Sequence, residues 1–137
     1  MLQERIEGKW INIFAKVFEY CKVDVGTVVA ILSETQSRPV NVQLSELALH
    51  RLGAQAFHVI IPTPPQTSNI PIRSTGASTA LQNIKPVVKA LSSSELVIDL
   101  TVEGLLHAPE VPAIIKDGTR ILMVSNEHPD TLERLLP

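Results

Sequence analysis

The chain alternates between two spacings of apolar residues along most of its length. Apolar side chains between positions 6 and 21 recur at every third or fourth residue, which predicts an amphipathic helix that ends near Lys22. The same spacing returns over about 42–52, where Gly53 supplies a stop signal. Further helices are expected at about 81–92, 111–115 and 129–136. In the first of these, Pro86 is either tolerated in the first turn or forces a start after Asn83. Between the helices, short apolar runs predict strands at 27–32, 56–61, 96–100 and 119–124.

Strands that alternate with helices in this way predict an α/β fold. Because crossovers between parallel strands are nearly always right-handed, we expect a Rossmann-like parallel sheet of about four strands flanked by helices. The 137 residues are enough for one domain, so 1–137 is interpreted as a single domain. In both common strand orders of such folds, a crevice opens between the loops after strands one and three. Residues 33–38 and 101–109 would line that crevice.

The segment 62–79 interrupts this regular alternation. It is rich in Pro, Ser and Thr and shows no periodicity, and it is longer than a plain connection in a compact domain. A lid, a partner-binding loop and a partly disordered segment are all compatible with this composition.

Charge and hydropathy exclude two classes of partner. The net charge is -2, and the twelve Lys and Arg residues are scattered, so the basic surface that nucleic acid requires is missing. No apolar run approaches the roughly 20 residues of a bilayer span. Charged residues are spread through 2–20, unlike the apolar core of a secretory leader. We therefore expect a cytoplasmic protein that binds neither nucleic acid nor a membrane.

Two common kinds of site are also disfavoured. The loop after the first strand, Ser33 to Ser37, contains no glycine, whereas a dinucleotide site needs backbone amides that approach the pyrophosphate closely. His50 and His58 fall on a helix and a strand without a paired ligand spacing, which favours structural roles. No complete set of metal ligands is visible in the sequence.

His107 is the principal candidate for chemistry. It lies in the loop that follows the third apolar run, at the sheet edge where parallel α/β proteins bind ligands. One interpretation is a loop histidine that hydrogen-bonds to the neighbouring backbone. The other is an acid/base group or a hydrogen-bond donor to a polar ligand, since an imidazole of pKa about 6.5 exchanges protons near neutrality. Position alone leaves both interpretations open.

Several short sequence motifs in the second half of the chain indicate a family resemblance. The sharpest is Leu-Leu-His-Ala-Pro-Glu at 105–110, followed by Gly-Thr-Arg-Ile-Leu at 118–122. Leu-Val-Ile-Asp at 96–99 precedes them, and Glu-Arg-Leu-Leu-Pro at 133–137 follows. In this order and spacing, the chain resembles the amino-terminal domain of 2,5-dihydroxypyridine 5,6-dioxygenases over nearly all of its length. The broader relatives are thermophilic metallo-aminopeptidases.

The resemblance implies an iron(II)-dependent, extradiol-type dioxygenase that opens a dihydroxypyridine ring with O2 in nicotinate degradation, and that forms a homo-oligomer. In that family a carboxyl-terminal domain, absent from this chain, binds the Fe(II). By resemblance, Leu106 and His107 would face the substrate of an interdomain active site. Leu106 would pack on the pyridine ring, and His107 would act as the catalytic group that accepts or returns a hydroxyl proton. The 137 residues alone are not expected to be active.

Two alternatives remain. One is a metallo-aminopeptidase-like domain whose metal is also held elsewhere. The other is a stand-alone binding or oligomerisation module, in which the apolar stripe of the first helix and the segment 62–79 would contact a partner.

Overall fold

The computed structural model describes residues 6–65 and 76–136. Within these ranges the helices are α1 (Gly8–Tyr20), α2 (Pro39–Leu52), α3 (Lys85–Ser92), α4 (Val111–Ile115) and α5 (Pro129–Leu135). The strands are β1 (Val28–Glu34), β2 (Gln55–Ile61), β3 (Leu96–Asp99) and β4 (Arg120–Met123). All strands pair in parallel, in the order β2-β1-β3-β4. The predicted α/β class, with a parallel sheet flanked by helices, is confirmed.

The central strand β1 contributes side chains to two hydrophobic cores, one on each face of the sheet. Val29 and Ile31 pack with side chains of α1, α2 and α5, whereas Ala30 and Leu32 pack with side chains of α3 and α4. Successive side chains of a strand point to opposite faces. A continuous apolar run is therefore what a strand covered by helices on both faces requires.

The structure decides between the two predicted starts of the third helix. The helix α3 begins at Lys85, in agreement with a start after Asn83 and not with one at Leu81. Gln82 and Asn83 have φ angles of 48° and 54°, which an α-helix does not accommodate. Pro86 then lies in the first turn, where its missing N–H would have no helical partner anyway. The spacing of apolar residues carries no signal for the left-handed conformation of Gln82 and Asn83.

The first and last helices lie against each other. Trp10 of α1 meets the ring of His128 edge-on, with 5.2 Å between the ring centroids. Nδ1 of His128 accepts a hydrogen bond from the backbone N–H of Asp130 at 3.3 Å and so caps α5. This histidine thus has a structural role at a loop-to-helix junction.

None of the helices in the described ranges has both the length and the hydropathy needed to cross a bilayer.

Candidate functional site

The carboxyl edge of β1 and β3 brings two loops together. The strands pair at the centre of the sheet, with Leu32 opposite Asp99. The chain places β2 on one side of β1 and β3 on the other, so this edge is the point where the strand order changes direction. Ligands of parallel α/β proteins bind at such a point. The loops 35–38 and 100–110 leave from it. The sequence predicted these loops at 33–38 and 101–109, but β1 continues to Glu34.

A buried carboxylate organises the loop after β3. Oδ1 of Asp99 accepts hydrogen bonds from the backbone N–H of Thr101 at 3.0 Å and from its hydroxyl at 2.5 Å. Oδ2 accepts the backbone N–H of Leu105 at 2.8 Å. Asp99 and Thr101 are both fully buried. One side chain therefore fixes the backbone from 99 to 105, where no regular secondary structure does so.

A second buried carboxylate joins this loop to the end of β1. Oε2 of Glu34 accepts the backbone N–H of Val102 at 2.9 Å. Beside it, the Ser37 hydroxyl accepts the N–H of Glu34 at 2.8 Å and donates to the carbonyl of Leu100 at 2.6 Å. The exits of the two central strands are thus tied by direct hydrogen bonds.

Burial raises the pKa of Asp99 above its ordinary value of 3.8. Loss of solvation disfavours the charged form, and this cause outweighs the opposing hydrogen bonds from Thr101 and Leu105. The negative charge of Glu34 acts in the same direction as burial. Asp99 therefore holds its proton more strongly than an exposed aspartate would.

The tip of the loop separates a buried leucine from an exposed one. Leu105 is fully buried in the core below α3 and α4, whereas the next residue, Leu106, is 58% exposed. His107 is exposed as well. The buried neighbour anchors the tip, and the two exposed side chains are presented at the edge of the sheet.

Backbone hydrogen bonds from residues 76–78 hold the same tip from outside. The N–H of His107 donates to the carbonyl of Gly76, and the N–H of Gly76 donates to the carbonyl of Glu103 at 2.6 Å. The N–H of Ser78 donates to the carbonyl of Gly104 at 2.9 Å. The end of the segment 62–79 thus clamps the His107 loop. Residues 66–75 lie outside the described residues, so the lid, partner-loop and disorder alternatives stay predictions.

The other histidines of the chain lie on other elements. Nε2 of His58 lies 2.9 Å from Oε1 of Glu46, which joins β2 to α2. His50 is exposed on α2, and His128 caps α5. The contact of His58 with Glu46 agrees with the structural role that the sequence favoured for His58. His107 lies in the loop that follows β3, at the edge where β1 and β3 end.

Sequence reasoning missed Asp99, Glu34 and Gly76. For the two carboxylates, the sequence did offer a signal. Each is a charged residue at the end of a buried apolar strand, and such a residue needs hydrogen-bond donors from the following loop. Nothing in the sequence indicated that the segment 62–79 would return to the His107 loop.

The described residues do not fit the iron(II) that the resemblance implies. No group of three or more His, Cys, Asp or Glu residues within 6–65 and 76–136 is arranged to hold a metal ion. The carboxylates of Asp99 and Glu34 are occupied with backbone amides.

Comparison with known proteins assigns the family. A family model described as NicX, 2,5-dihydroxypyridine 5,6-dioxygenase, matches residues 9–137. The 2,5-dihydroxypyridine 5,6-dioxygenase of Pseudomonas putida strain KT2440 is 34% identical over 128 residues, which cover 92% of this chain and 36% of that relative. The solved structure of the 2,5-dihydroxypyridine dioxygenase from P. putida KT2440 matches with a TM-score of 0.81 at 33% identity, and the match covers 93% of this chain and 37% of that one. This chain thus belongs to the 2,5-dihydroxypyridine 5,6-dioxygenase family and corresponds to an amino-terminal domain of it.

Proposed function

We propose that this chain forms the substrate-facing wall of an iron(II)-dependent, extradiol-type dioxygenase that opens the ring of a dihydroxypyridine. Family membership supports the dioxygenase activity. The observation that supports the role of this part of the enzyme is the exposure of Leu106 and His107 on a loop whose backbone is fixed from both sides.

The two exposed side chains have complementary tasks in this proposal. Leu106 packs against the face of the aromatic substrate, since an exposed aliphatic side chain loses water when a ring covers it. The His107 imidazole accepts the proton of a ring hydroxyl and returns it later in the reaction. A fixed backbone favours such a role because proton transfer requires the imidazole within hydrogen-bond reach of the hydroxyl.

Iron(II) and the rest of the active site are proposed to come from outside the described residues. The matched relative is much longer than this chain, which spans 36% of its length. When bound, the metal ion would supply the activation of substrate and O2. The metal-binding carboxyl-terminal domain, the cytoplasmic location and the homo-oligomer remain proposals. Light scattering of the full-length protein measures the last of these.

The role of His107 is tested in the full-length protein. Oxygen uptake is measured with 2,5-dihydroxypyridine and Fe(II), together with the iron content. His107→Ala should lower kcat by about 10²-fold or more, as expected for loss of a general acid/base, and leave the iron content unchanged. His50→Ala, which removes another exposed histidine, is the matched control and should keep full activity. Unaltered turnover in His107→Ala removes this residue from the mechanism.

The role of Leu106 is tested in the same assay. Leu106→Ala should raise KM for the dihydroxypyridine with a smaller change in kcat, because it removes packing against the bound ring. Ile115→Ala, at an exposed apolar residue of α4, is the control. Equal KM values for the two variants contradict a substrate contact at Leu106. A wild-type protein without oxygen uptake on 2,5-dihydroxypyridine contradicts the proposed function itself.

A further inference from the structure

Gly76 lies directly against the two side chains that the proposed function uses. A Cβ atom built on Gly76 would come within 3.0 Å of Cβ of Leu106 and within 3.4 Å of Cδ2 of His107. A distance of 3.0 Å between two carbon atoms is well inside their optimal separation of about 3.5–4.0 Å. The neighbour at 3.0 Å is the first carbon of the Leu106 side chain and moves only with its backbone. A side chain at position 76 therefore requires Leu106 to move by a few tenths of an ångström.

The same residue is fixed by its backbone. The carbonyl of Gly76 accepts the N–H of His107, and its N–H donates to the carbonyl of Glu103. With a φ of +74°, Gly76 adopts a left-handed conformation that residues with a Cβ rarely take. It therefore cannot retreat from the loop without breaking these hydrogen bonds.

We propose that Gly76 is a positioning residue for Leu106 and His107. Because Gly76 has no Cβ atom, both side chains can take the orientation at the sheet edge that the reaction requires. This inference rests on the proposed function of His107. In this inference, the end of the segment 62–79 determines the position of residues 106 and 107. A methyl group at position 76 shifts the imidazole relative to the substrate and leaves its chemistry intact.

A second glycine provides the matched control. Gly26 has a similar φ of +85°, but no atom lies within 4 Å of the position its Cβ would take. It precedes β1 and so lies at the opposite edge of the sheet. Gly26→Ala introduces the same kind of backbone strain, whereas Gly76→Ala adds the contact with Leu106 and His107. The difference between the two variants isolates that contact.

The enzymatic test compares both variants in the full-length protein. Gly76→Ala should lower kcat for 2,5-dihydroxypyridine by about 3- to 10-fold, since the contact requires a shift of a few tenths of an ångström and a misplacement of about 1 Å can cost about 100-fold. Gly26→Ala should stay within about 2-fold of wild type, and both should retain the wild-type iron content. Gly76→Asn should be as impaired as Gly76→Ala, because Asn tolerates the left-handed backbone better but still carries a Cβ. Equal kcat values for the Gly76→Ala and Gly26→Ala variants overturn the proposal.

A second readout does not depend on activity. In this chain with isotope-labelled histidine, the Cδ2–H signal of His107, assigned by its loss in His107→Gln, should shift in Gly76→Ala and stay in place in Gly26→Ala. An unshifted signal in Gly76→Ala overturns the positioning role. If the wild-type enzyme does not act on 2,5-dihydroxypyridine, the proposed function fails. The shift of the His107 signal then still tests whether a side chain at position 76 moves the imidazole. Activity lost in His107→Ala but retained in Gly76→Ala sustains the function and rejects the inference.

Discussion

The loops that follow the two central strands differ in length, but each begins at a buried carboxylate that accepts backbone hydrogen bonds. We call these loops the β1 exit and the β3 exit. Both strands end in a buried carboxylate, Glu34 in β1 and Asp99 in β3. The β1 exit reaches α2 at Pro39, whereas the β3 exit runs from 100 to 110 before α4 begins. Glu34 accepts a backbone amide of the other loop, and Asp99 accepts two amides and a hydroxyl of its own.

The difference shows how a long loop becomes rigid enough to carry function. A short exit is held by the helix that follows it. A long exit exposes backbone groups that regular secondary structure does not pair, so it needs acceptors of its own. In this chain Asp99 provides an acceptor for two of these amides and Glu34 for a third, and the side chains at the tip remain exposed.

The largest expected effect tests the anchoring of the long exit in the core. Leu105→Ala should lower the free energy of unfolding by about 3 kcal/mol, as large-to-small changes at fully buried leucines do. Leu106→Ala, one residue further, should change it by less than about 0.5 kcal/mol because that side chain is exposed. Urea denaturation of this chain measures both values. Equal losses would contradict the division between anchor and tip.

A somewhat smaller effect separates the two carboxylates. Asp99→Ala should cost about 2–3 kcal/mol, since it leaves the amides of Thr101 and Leu105 buried without an acceptor. Glu34→Ala leaves only the amide of Val102 in that state and should cost about 1–2 kcal/mol. The same denaturation series gives both numbers. A larger loss for Glu34→Ala would reverse the assignment of the organising residue.

The pH dependence of stability sharpens the comparison further. Because burial raises the pKa of Asp99, the folded protein holds this proton to a higher pH than the unfolded chain does. Between the ordinary and the raised pKa the unfolded state binds fewer protons, so the stabilising contribution is full below pH 3.8 and falls as the pH rises through the raised value. The difference in unfolding free energy between wild type and Asp99→Asn should therefore decrease with rising pH over that interval.

The neighbouring carboxylate changes the width of this interval. The charge of Glu34 raises the pKa of Asp99, so Glu34→Gln should bring that pKa closer to its ordinary value and make the decrease smaller. Glutamine still offers an oxygen to the amide of Val102. A steeper decrease in Glu34→Gln, or a stability difference that increases with pH in the wild type, is the contrary result.

The smallest effect concerns a single hydroxyl. Thr101→Val keeps the shape of the side chain but removes its hydrogen bond to Asp99, at a cost of about 1 kcal/mol. The Thr101 hydrogen bonds lower the pKa of Asp99, so their partial loss should raise it further. Titration of the Asp99 carboxyl by NMR measures the shift. Ser93→Ala, at an exposed hydroxyl after α3, should leave this pKa unchanged.

The periodicity of the sequence was sufficient for the strands, the sheet class and the location of His107. A buried apolar run and a stop residue are local signals, and both central strands carry them. The sequence left two starts open for α3, at Leu81 or after Asn83, because the left-handed turn at Gln82 and Asn83 depends on contacts distant in sequence, such as the Asn83 N–H donating to Oε2 of Glu110 at 2.8 Å. The clamp by Gly76 was missed for the same reason.

The edge-on contact of Trp10 with His128 gives the fold an internal optical probe. Trp10 is the sole tryptophan of the chain and is only 8% exposed, so its emission arises from one known position between α1 and α5. Detachment of α5 would expose the indole to water and shift its fluorescence to longer wavelength. The docking of the last helix can thus be followed in real time without attaching a dye.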